Sequence, residues 1–180
     1  AAMRTKSGKA AVLATINQEN PFTNEIWATA PVMEKFFQSG STSNIPAAPT
    51  RVRMLWDDKY LYVGYENYGA YATGIQAATE YADAGYGWKD GTDDVKTFIS
   101  PDPDPGNGMY CYFGNPNNLH CSCFKSYSGS PIPDFSSQNT ENTAARIFIG
   151  NSVNHNRWIF IQAIPFHHIG ITGPANSKTE

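Results

Sequence analysis

The chain has 180 residues, of which 41% are hydrophobic, 13% aromatic and 16% charged, and its formal net charge at pH 7 is −3. This length suffices for one domain with its own hydrophobic core. With only 13 Lys and Arg, the chain shows no concentrated basic patch of the kind that binds nucleic acid. No apolar run approaches the ~18 residues that indicate a membrane span.

The first seven residues, AAMRTKS, do not read as a signal peptide, because no apolar core follows the charged Arg4 and Lys6. We expect a mature or excised form. Removal of an export signal that ends in small residues would leave such a start, and a cloned fragment would look the same.

The first elements predicted are short. Residues 9–16 alternate apolar with polar or small side chains, which is typical of a strand at the edge of a sheet. Residues 25–30 form a short segment that carries Trp27. Residues 33–37 predict another short strand with Phe36 or Phe37 turned inward.

A hairpin is predicted over residues 51–65. Apolar residues alternate on both sides of the turn Asp57-Asp58-Lys59, and Asp favours a turn because its side chain bonds the backbone just ahead of it. The residues predicted to share the buried face are Val52, Met54, Trp56, Leu61, Val63 and Tyr65.

The stretch between residues 65 and 88 reads as a long aromatic-bearing loop, with a helical turn or two at residues 75–82. Aromatic faces stack on the C–H face of a sugar, so this loop is one place to look for a glycan site. Alternatively, its tyrosines cover the open edge of a sheet. Both interpretations fit the four tyrosines Tyr68, Tyr71, Tyr81 and Tyr86.

The remaining strands are predicted at residues 93–100, 109–113, 119–124, 146–150 and 158–164, separated by turns rich in Gly, Pro and Asn. Such evenly spaced short strands indicate an all-β fold. We predict an antiparallel β-sandwich of the immunoglobulin-like or jelly-roll type, with at most one short helix. It forms a single domain over residues 1–180, with tails at 1–8 and 171–180.

The three cysteines are placed close together. If residues 115–118 form a hairpin turn, Cys111 and Cys123 face each other across two strands, with Cys121 one pleat along on the same face. A Cys111–Cys123 disulfide is then geometrically possible. Three reduced cysteines and a metal site are the alternatives, although alternation sends His120 to the opposite face.

Several motifs, in this order, resemble carbohydrate-binding module family 9. They are Trp27, residues 50–63 (TRVRMLWDDKYLYV), Trp88 with residues 94–99 (DVKTFI), residues 110–118 and residues 158–166 (WIFIQAIPF). The resemblance covers roughly residues 27–170. It implies an extracellular β-sandwich that binds a glycan without catalysis, with Trp27 in the core.

In that family, as the resemblance implies, two Trp faces enclose a terminal sugar, and a carboxylate, an Arg and amides surround it. Trp88 matches the first wall and Asn115 an amide, although Trp88 could instead be packing. Lys96 stands at the carboxylate position and Phe113 at the Arg position, while the second Trp would lie beyond residue 180. The predicted sugar contacts are Trp88, Tyr86, Tyr71, Lys96 and Asn115.

Structural calcium is also implied, since members of the family often hold it. The candidate ligands Asp102, Asp104 and Asn107 are hard oxygen donors, but Gly106 stands where a calcium loop places a ligand. A rigid turn set by the neighbouring prolines is the alternative. We expect no haem and no nucleotide, because neither a Cys-x-x-Cys-His motif nor a phosphate-binding glycine loop occurs.

No catalytic motif is present, so we predict no enzyme activity. In the family further strands follow the WIFIQAIPF run, and we expect none of them within residues 171–180, so either the fold closes with fewer strands or a sheet edge is left open. An open sheet edge can template strand addition. The alternative function is therefore a subunit of an extracellular filament or surface assembly, polymerising with its own copies by donor-strand exchange through residues 10–16.

Overall fold

The computed structural model describes residues 2–37, 40–44, 49–68, 75, 93–104, 108–125, 132–135, 140–149 and 156–171. For residues 121–125, 132–135 and 140 the description is confined to the backbone.

The described strands form two sheets. The first is five-stranded, in the order β1-β2-β3-β9-β8, and the second is four-stranded, in the order β4-β5-β6-β7. All pairs are antiparallel except β1 with β2, so the predicted antiparallel sandwich is confirmed. The strands are β1 (Met3–Arg4), β2 (Thr50–Trp56), β3 (Tyr60–Tyr68), β4 (Val95–Ile99), β5 (Met109–Gly114), β6 (His120–Lys125), β7 (Ile132–Phe135), β8 (Thr143–Phe148) and β9 (Arg157–Pro165).

The predicted hairpin over residues 51–65 is confirmed as β2 and β3. The Asp57 side chain accepts hydrogen bonds from the backbone amides of Lys59 and Tyr60, both at 2.8 Å. The Asp57 amide also donates to the Tyr60 carbonyl at 3.0 Å. The turn chemistry inferred from the sequence therefore closes the hairpin.

The strand predicted at residues 9–16 is wrong: this segment is the helix α1 (Gly8–Ala14) followed by the 3-10 turn Thr15–Asn17. Val12 and Ile16 are 0% and 8% exposed. Being four residues apart, they share one side of a helix as well as one face of a strand, so the pattern is ambiguous. Alanine is compatible with a helix because of its high helix propensity, but burial of Val12 and Ile16 selects the helix here.

Residues 33–37 also differ from the prediction. Met33 makes only an isolated bridge to Val52, with hydrogen bonds of 2.9 Å in both directions. Phe36 and Phe37 are 37% and 51% exposed, so neither turns inward. A single bridge fixes one residue and not a pleated ladder, which leaves the following side chains in water.

Trp27 is fully buried, as predicted, and lies in the short helix α2 (Glu25–Ala28), which is capped by Asn24. Its indole N–H donates to the Thr15 hydroxyl at 3.1 Å, and its ring meets Phe22 edge-on at 5.1 Å. Trp27 thus joins the N-terminal segments into a layer on the five-stranded sheet.

Two apolar clusters flank the five-stranded sheet, so β9 is buried along nearly its whole length. The cluster between the sheets contains Val52, Val63, Tyr65, Val95, Tyr112, Trp158, Phe160, Ile164, Phe166 and Ile169. The cluster under the helices contains Val12, Ile16, Phe22, Trp27, Ala30, Leu55, Tyr62, Ile159, Ile161 and Ala163. The molecule therefore has three layers: helices, five-stranded sheet and four-stranded sheet.

Candidate functional site

The predicted sugar contact Lys96 lies on β4, on the outer face of the four-stranded sheet. Val95 is buried against the other sheet, so alternation places Lys96 and Phe98 on the opposite face. Lys96 lies directly across from Phe113, and Phe98 lies across from Cys111. The two positions that depart from the family pattern, Lys96 and Phe113, are therefore cross-strand neighbours.

We name Asp94, Lys96, Phe98 and Phe113 the β4 platform. The Lys96 ammonium lies 3.2 Å from the Asp94 carboxylate and 5.6 Å from the centre of the Phe113 ring. Phe98 is 53% exposed and meets Phe113 edge-on at 6.2 Å. Phe113 itself is only 5% exposed, so the ring that can stack on a sugar is Phe98, while Lys96 and Asp94, farther along the same face, can bond its hydroxyl groups.

Asp94 and Phe98 are missing from the predicted site. The signal was present in the sequence, because strand alternation puts Phe98 on the same face as Lys96. A large apolar side chain that stays exposed is informative where it adjoins polar groups.

Asn115 is fully buried at the end of β5. Its side-chain carbonyl accepts from the backbone amides of Asn117 and Leu119, both at 3.0 Å, and thereby shapes the turn between β5 and β6. The left-handed backbone of Asn118, with φ of 59°, completes this turn. A role of Asn115 at a sugar remains a prediction.

The other predicted sugar contacts, Trp88, Tyr86 and Tyr71, lie outside the described residues, as does most of the predicted helical turn at residues 75–82. Of the predicted contacts, the structure thus places Lys96, which lies on β4 across from Phe113, and Asn115, which follows the end of β5.

The candidate calcium ligands are described in part. The Asp102 carboxylate accepts from the backbone amide of Asp104 at 2.8 Å, and both residues are exposed. Asn107 is outside the described residues. Within the described ranges, no three His, Cys, Asp or Glu side chains come together as a metal site. Calcium binding here stays a prediction.

The register of β5 and β6 pairs Cys111 with Cys123 and Phe113 with Cys121, as the sequence predicts. The disulfide itself remains a prediction. His120 pairs with Gly114, on the face toward the other sheet, and is 6% exposed. This burial lowers the pKa of His120 to about 4, because a buried imidazole is easier to keep neutral than charged.

No protein-family model and no curated protein matches the sequence. Among solved structures, the chain is similar to one described as "a putative carbohydrate-binding protein" from Bacteroides uniformis. The TM-score is 0.57 at 11% identity, over 96% of this chain and 76% of the other. At that identity the likeness establishes the shared fold.

Two structures of a carbohydrate-binding module of family 9 from Caldicellulosiruptor kristjanssonii, with cellotriose and with glucose, are also similar. Their TM-scores are 0.44 and 0.43 at 16% identity, over 78% of this chain and 60% and 61% of theirs. The family that the sequence motifs resemble is thus found among the similar structures. No helix in the described part of the chain is long and apolar enough to cross a bilayer.

Proposed function

We propose that this chain is a non-catalytic, extracellular carbohydrate-binding module that holds a glycan on the β4 platform. The observation that supports this best is the exposed Phe98 ring on the same sheet face as the Lys96–Asp94 ion pair. A sugar needs both features, because its C–H face stacks on an aromatic ring while its hydroxyl groups require charged or polar partners. The neighbour from Bacteroides uniformis, with the same fold, carries a description of the same kind.

In this proposal Trp88, Tyr86 and Tyr71 add further aromatic contacts to the sugar. Lys96 donates to sugar hydroxyl groups and Asp94 accepts from them, so the pair replaces the single carboxylate of the family. Asn115 holds the turn at the end of β5 and so fixes the position of Phe113. Exclusion of water by the rings strengthens the polar contacts.

The test is calorimetric titration of the protein with a panel of neutral oligosaccharides. We expect Phe98→Ala to weaken binding about tenfold, since loss of a stacked ring is worth on the order of 1–3 kcal/mol. Trp88→Ala is expected to weaken it at least as much. Phe37→Ala is a matched control, because Phe37 is also an exposed phenylalanine (51%) but lies outside the platform.

Equal affinities of the wild type, Phe98→Ala and Phe37→Ala would contradict the platform as the site. Absence of binding to every glycan in the panel would contradict the proposed function itself. A change confined to Trp88→Ala would place the site on the segment between β3 and β4 instead.

The segment proposed as the donor in the alternative function, assembly by strand donation, does not form a strand. Residues 10–16 belong to α1 and the turn after it, and Val12 is fully buried in the helical layer. Donating this segment as a strand would require unfolding the helix and exposing its apolar side. The observation motivating polymerisation through that segment is therefore absent.

A further inference from the structure

A concave surface lies on the face of the five-stranded sheet that packs against the helical layer. It is a groove of about 280 Å³, which we name the arginine groove. Three arginines from two strands, Arg51, Arg53 and Arg157, line it. The other lining residues are Asn20, Pro21, Phe22, Thr23, Glu66, Tyr68 and Ile159.

Strand pairing brings together the six lining residues that lie on strands, while the other four come from the segment before α2. Arg51 pairs with Glu66, and Glu66 pairs in turn with Ile159. Tyr68 pairs with Arg157, and Arg53 pairs with Gly64. Since paired residues share one face of a sheet, the groove is built from one continuous face. At Gly64 the absence of a side chain leaves room for Phe22 and, beside it, for the Arg53 guanidinium.

The charge of the groove is positive, opposite in sign to the net charge of the chain. Its lining holds three arginines and one glutamate, a surplus of two positive charges, in a chain whose net charge is −3. The Glu66 carboxylate forms an ion pair with Arg157 at 3.5 Å and accepts a hydrogen bond from the Tyr68 hydroxyl at 2.9 Å. Arg51 is paired at the rim with Glu34 at 3.1 Å.

Arg53 contacts an aromatic ring, whereas the other two arginines of the groove are paired with carboxylates. Its guanidinium stacks over Phe22 at 5.1 Å, and its buried Nη1 has no hydrogen-bond partner in the described part of the chain. The buried Nε of Arg157 likewise lacks a hydrogen bond, since its contact with Glu66 is an ion pair without hydrogen-bond alignment. Buried donors are normally satisfied, so an acceptor supplied by a ligand in the groove would complete the hydrogen bonding of these two N–H groups.

We propose that the arginine groove binds the carboxylate of an acidic sugar, such as a uronic acid residue of a polysaccharide. A planar carboxylate matches the fork of a guanidinium, which can donate two parallel hydrogen bonds to it. The Glu66 carboxylate and the Asn20 amide beside it can bond sugar hydroxyl groups, and Tyr68 and Phe22 supply apolar surface. Glu66 would repel a densely charged phosphate chain.

This site is independent of the β4 platform, because the two surfaces belong to different sheets. The groove is tested with trigalacturonate, with its neutral methyl ester and with inorganic sulfate, each titrated into the full chain at low salt. We expect trigalacturonate to bind, its methyl ester to bind at least about tenfold more weakly, and affinity to fall as salt rises.

Arg53→Gln is expected to remove at least about tenfold of the trigalacturonate affinity, and Arg53→Lys to recover only part, since it restores charge without the fork. Arg4→Gln is the matched control: Arg4 also forms an ion pair, with Asp58 at 2.7 Å, but lies on β1 outside the groove. Unchanged thermal unfolding midpoints show that the variants are folded. If Arg53→Gln does not fold, the methyl-ester comparison on the wild type decides the charge requirement.

Equal binding of trigalacturonate and its ester, or equal binding by the Arg53→Gln and Arg4→Gln variants, would overturn the proposal. Sulfate alone binding as tightly as trigalacturonate would show an anion site without sugar recognition, and tighter binding of a single-stranded oligonucleotide would also overturn it. The two surfaces are distinguished by variants: Phe98→Ala should leave trigalacturonate binding unchanged, and Arg53→Gln should leave neutral glycan binding unchanged.

Discussion

Two glycines lie where another layer of the molecule occupies the space of a side chain. A Cβ on Gly64 would stand 2.5 Å from Phe22 and 3.1 Å from Trp27. A Cβ on Gly114 would overlap the ring of Phe160, which belongs to the other sheet. Both glycines therefore permit close contact between layers, although each sits in a strand where glycine is otherwise unfavourable.

We predict that Gly64→Ala lowers the free energy of unfolding by about 1–3 kcal/mol, because the extra methyl group overpacks the helical core. Denaturant unfolding measures the change. In a Phe22→Ala background the same substitution should cost less, since the Phe22 ring is gone and only the Trp27 ring at 3.1 Å still crowds the added methyl group. An equal cost in both backgrounds would rule out the contact with Phe22 as the cause.

His120 makes stability depend on pH. Its pKa is lowered to about 4 by burial, whereas the unfolded chain has the ordinary value near 6.5. Between these values the unfolded state binds a proton that the folded state does not. Lowering the pH from 6.5 to 4 should therefore reduce the free energy of unfolding by up to about 3 kcal/mol, at about 1.4 kcal/mol per pH unit at most.

The measurement is denaturant unfolding at several pH values for the wild type, His120→Gln and His167→Gln. The pH dependence should flatten in His120→Gln and persist in His167→Gln, because His167 is exposed. If the free energy of unfolding changes with pH equally in the wild type and in His120→Gln, His120 is not the cause of the pH dependence.

At the scale of elements, the sequence predicts a strand best where one face is buried and a turn signal follows. The β2–β3 hairpin has both, with alternation on either side of Asp57. The Ala-rich segment of α1 has neither, because alanine fits either face of either element. Its helix is selected by packing of Val12 and Ile16 against the five-stranded sheet, which no local pattern shows.

The helical assignment of α1 is testable at the exposed Ala11. Ala11→Gly should cost about 1 kcal/mol and Ala11→Val about half of that, following helix propensities. Ala2→Gly, outside any helix or strand, is the control. In an edge strand Val would instead stabilise the protein relative to Ala, so the sign of the Ala11→Val effect separates the two structures.

The register of β5 and β6 places Cys111 opposite Cys123, so formation of the disulfide depends on the redox conditions. Because Cys111 and Cys123 are paired residues, we predict that protein purified without reductant has one alkylatable thiol, that of Cys121. Mass spectrometry of alkylated peptides checks this. Cys121→Ser should preserve the linked peptide and Cys123→Ser should abolish it, while three alkylated cysteines in the wild type would refute the bridge.

Across the whole molecule, the two candidate surfaces differ in how far the sequence could reveal them. Lys96 and Phe98 are neighbours on one strand, so alternation alone assigns them to one face. Arg51 and Arg53 meet Arg157 only because β3 pairs with β9 as well as with β2, and the pairing of β3 with β9 is set by long-range packing. Site chemistry within one strand is therefore predictable, whereas chemistry assembled across strands is not.

The shared strand β9 should also make the three layers unfold together. It contributes Ile161 to the helical cluster and Phe160 to the cluster between the sheets, where Phe160 packs on Gly114 of β5. We predict that Trp27→Phe, which removes the hydrogen bond to Thr15 and part of the buried ring, lowers stability by about 1–3 kcal/mol. Because the layers are coupled, amide hydrogen exchange in β5 should lose as much protection as exchange in β3 and β9. Loss confined to α1 and α2 would instead show that the helical layer opens alone, leaving the five-stranded sheet with one uncovered apolar face.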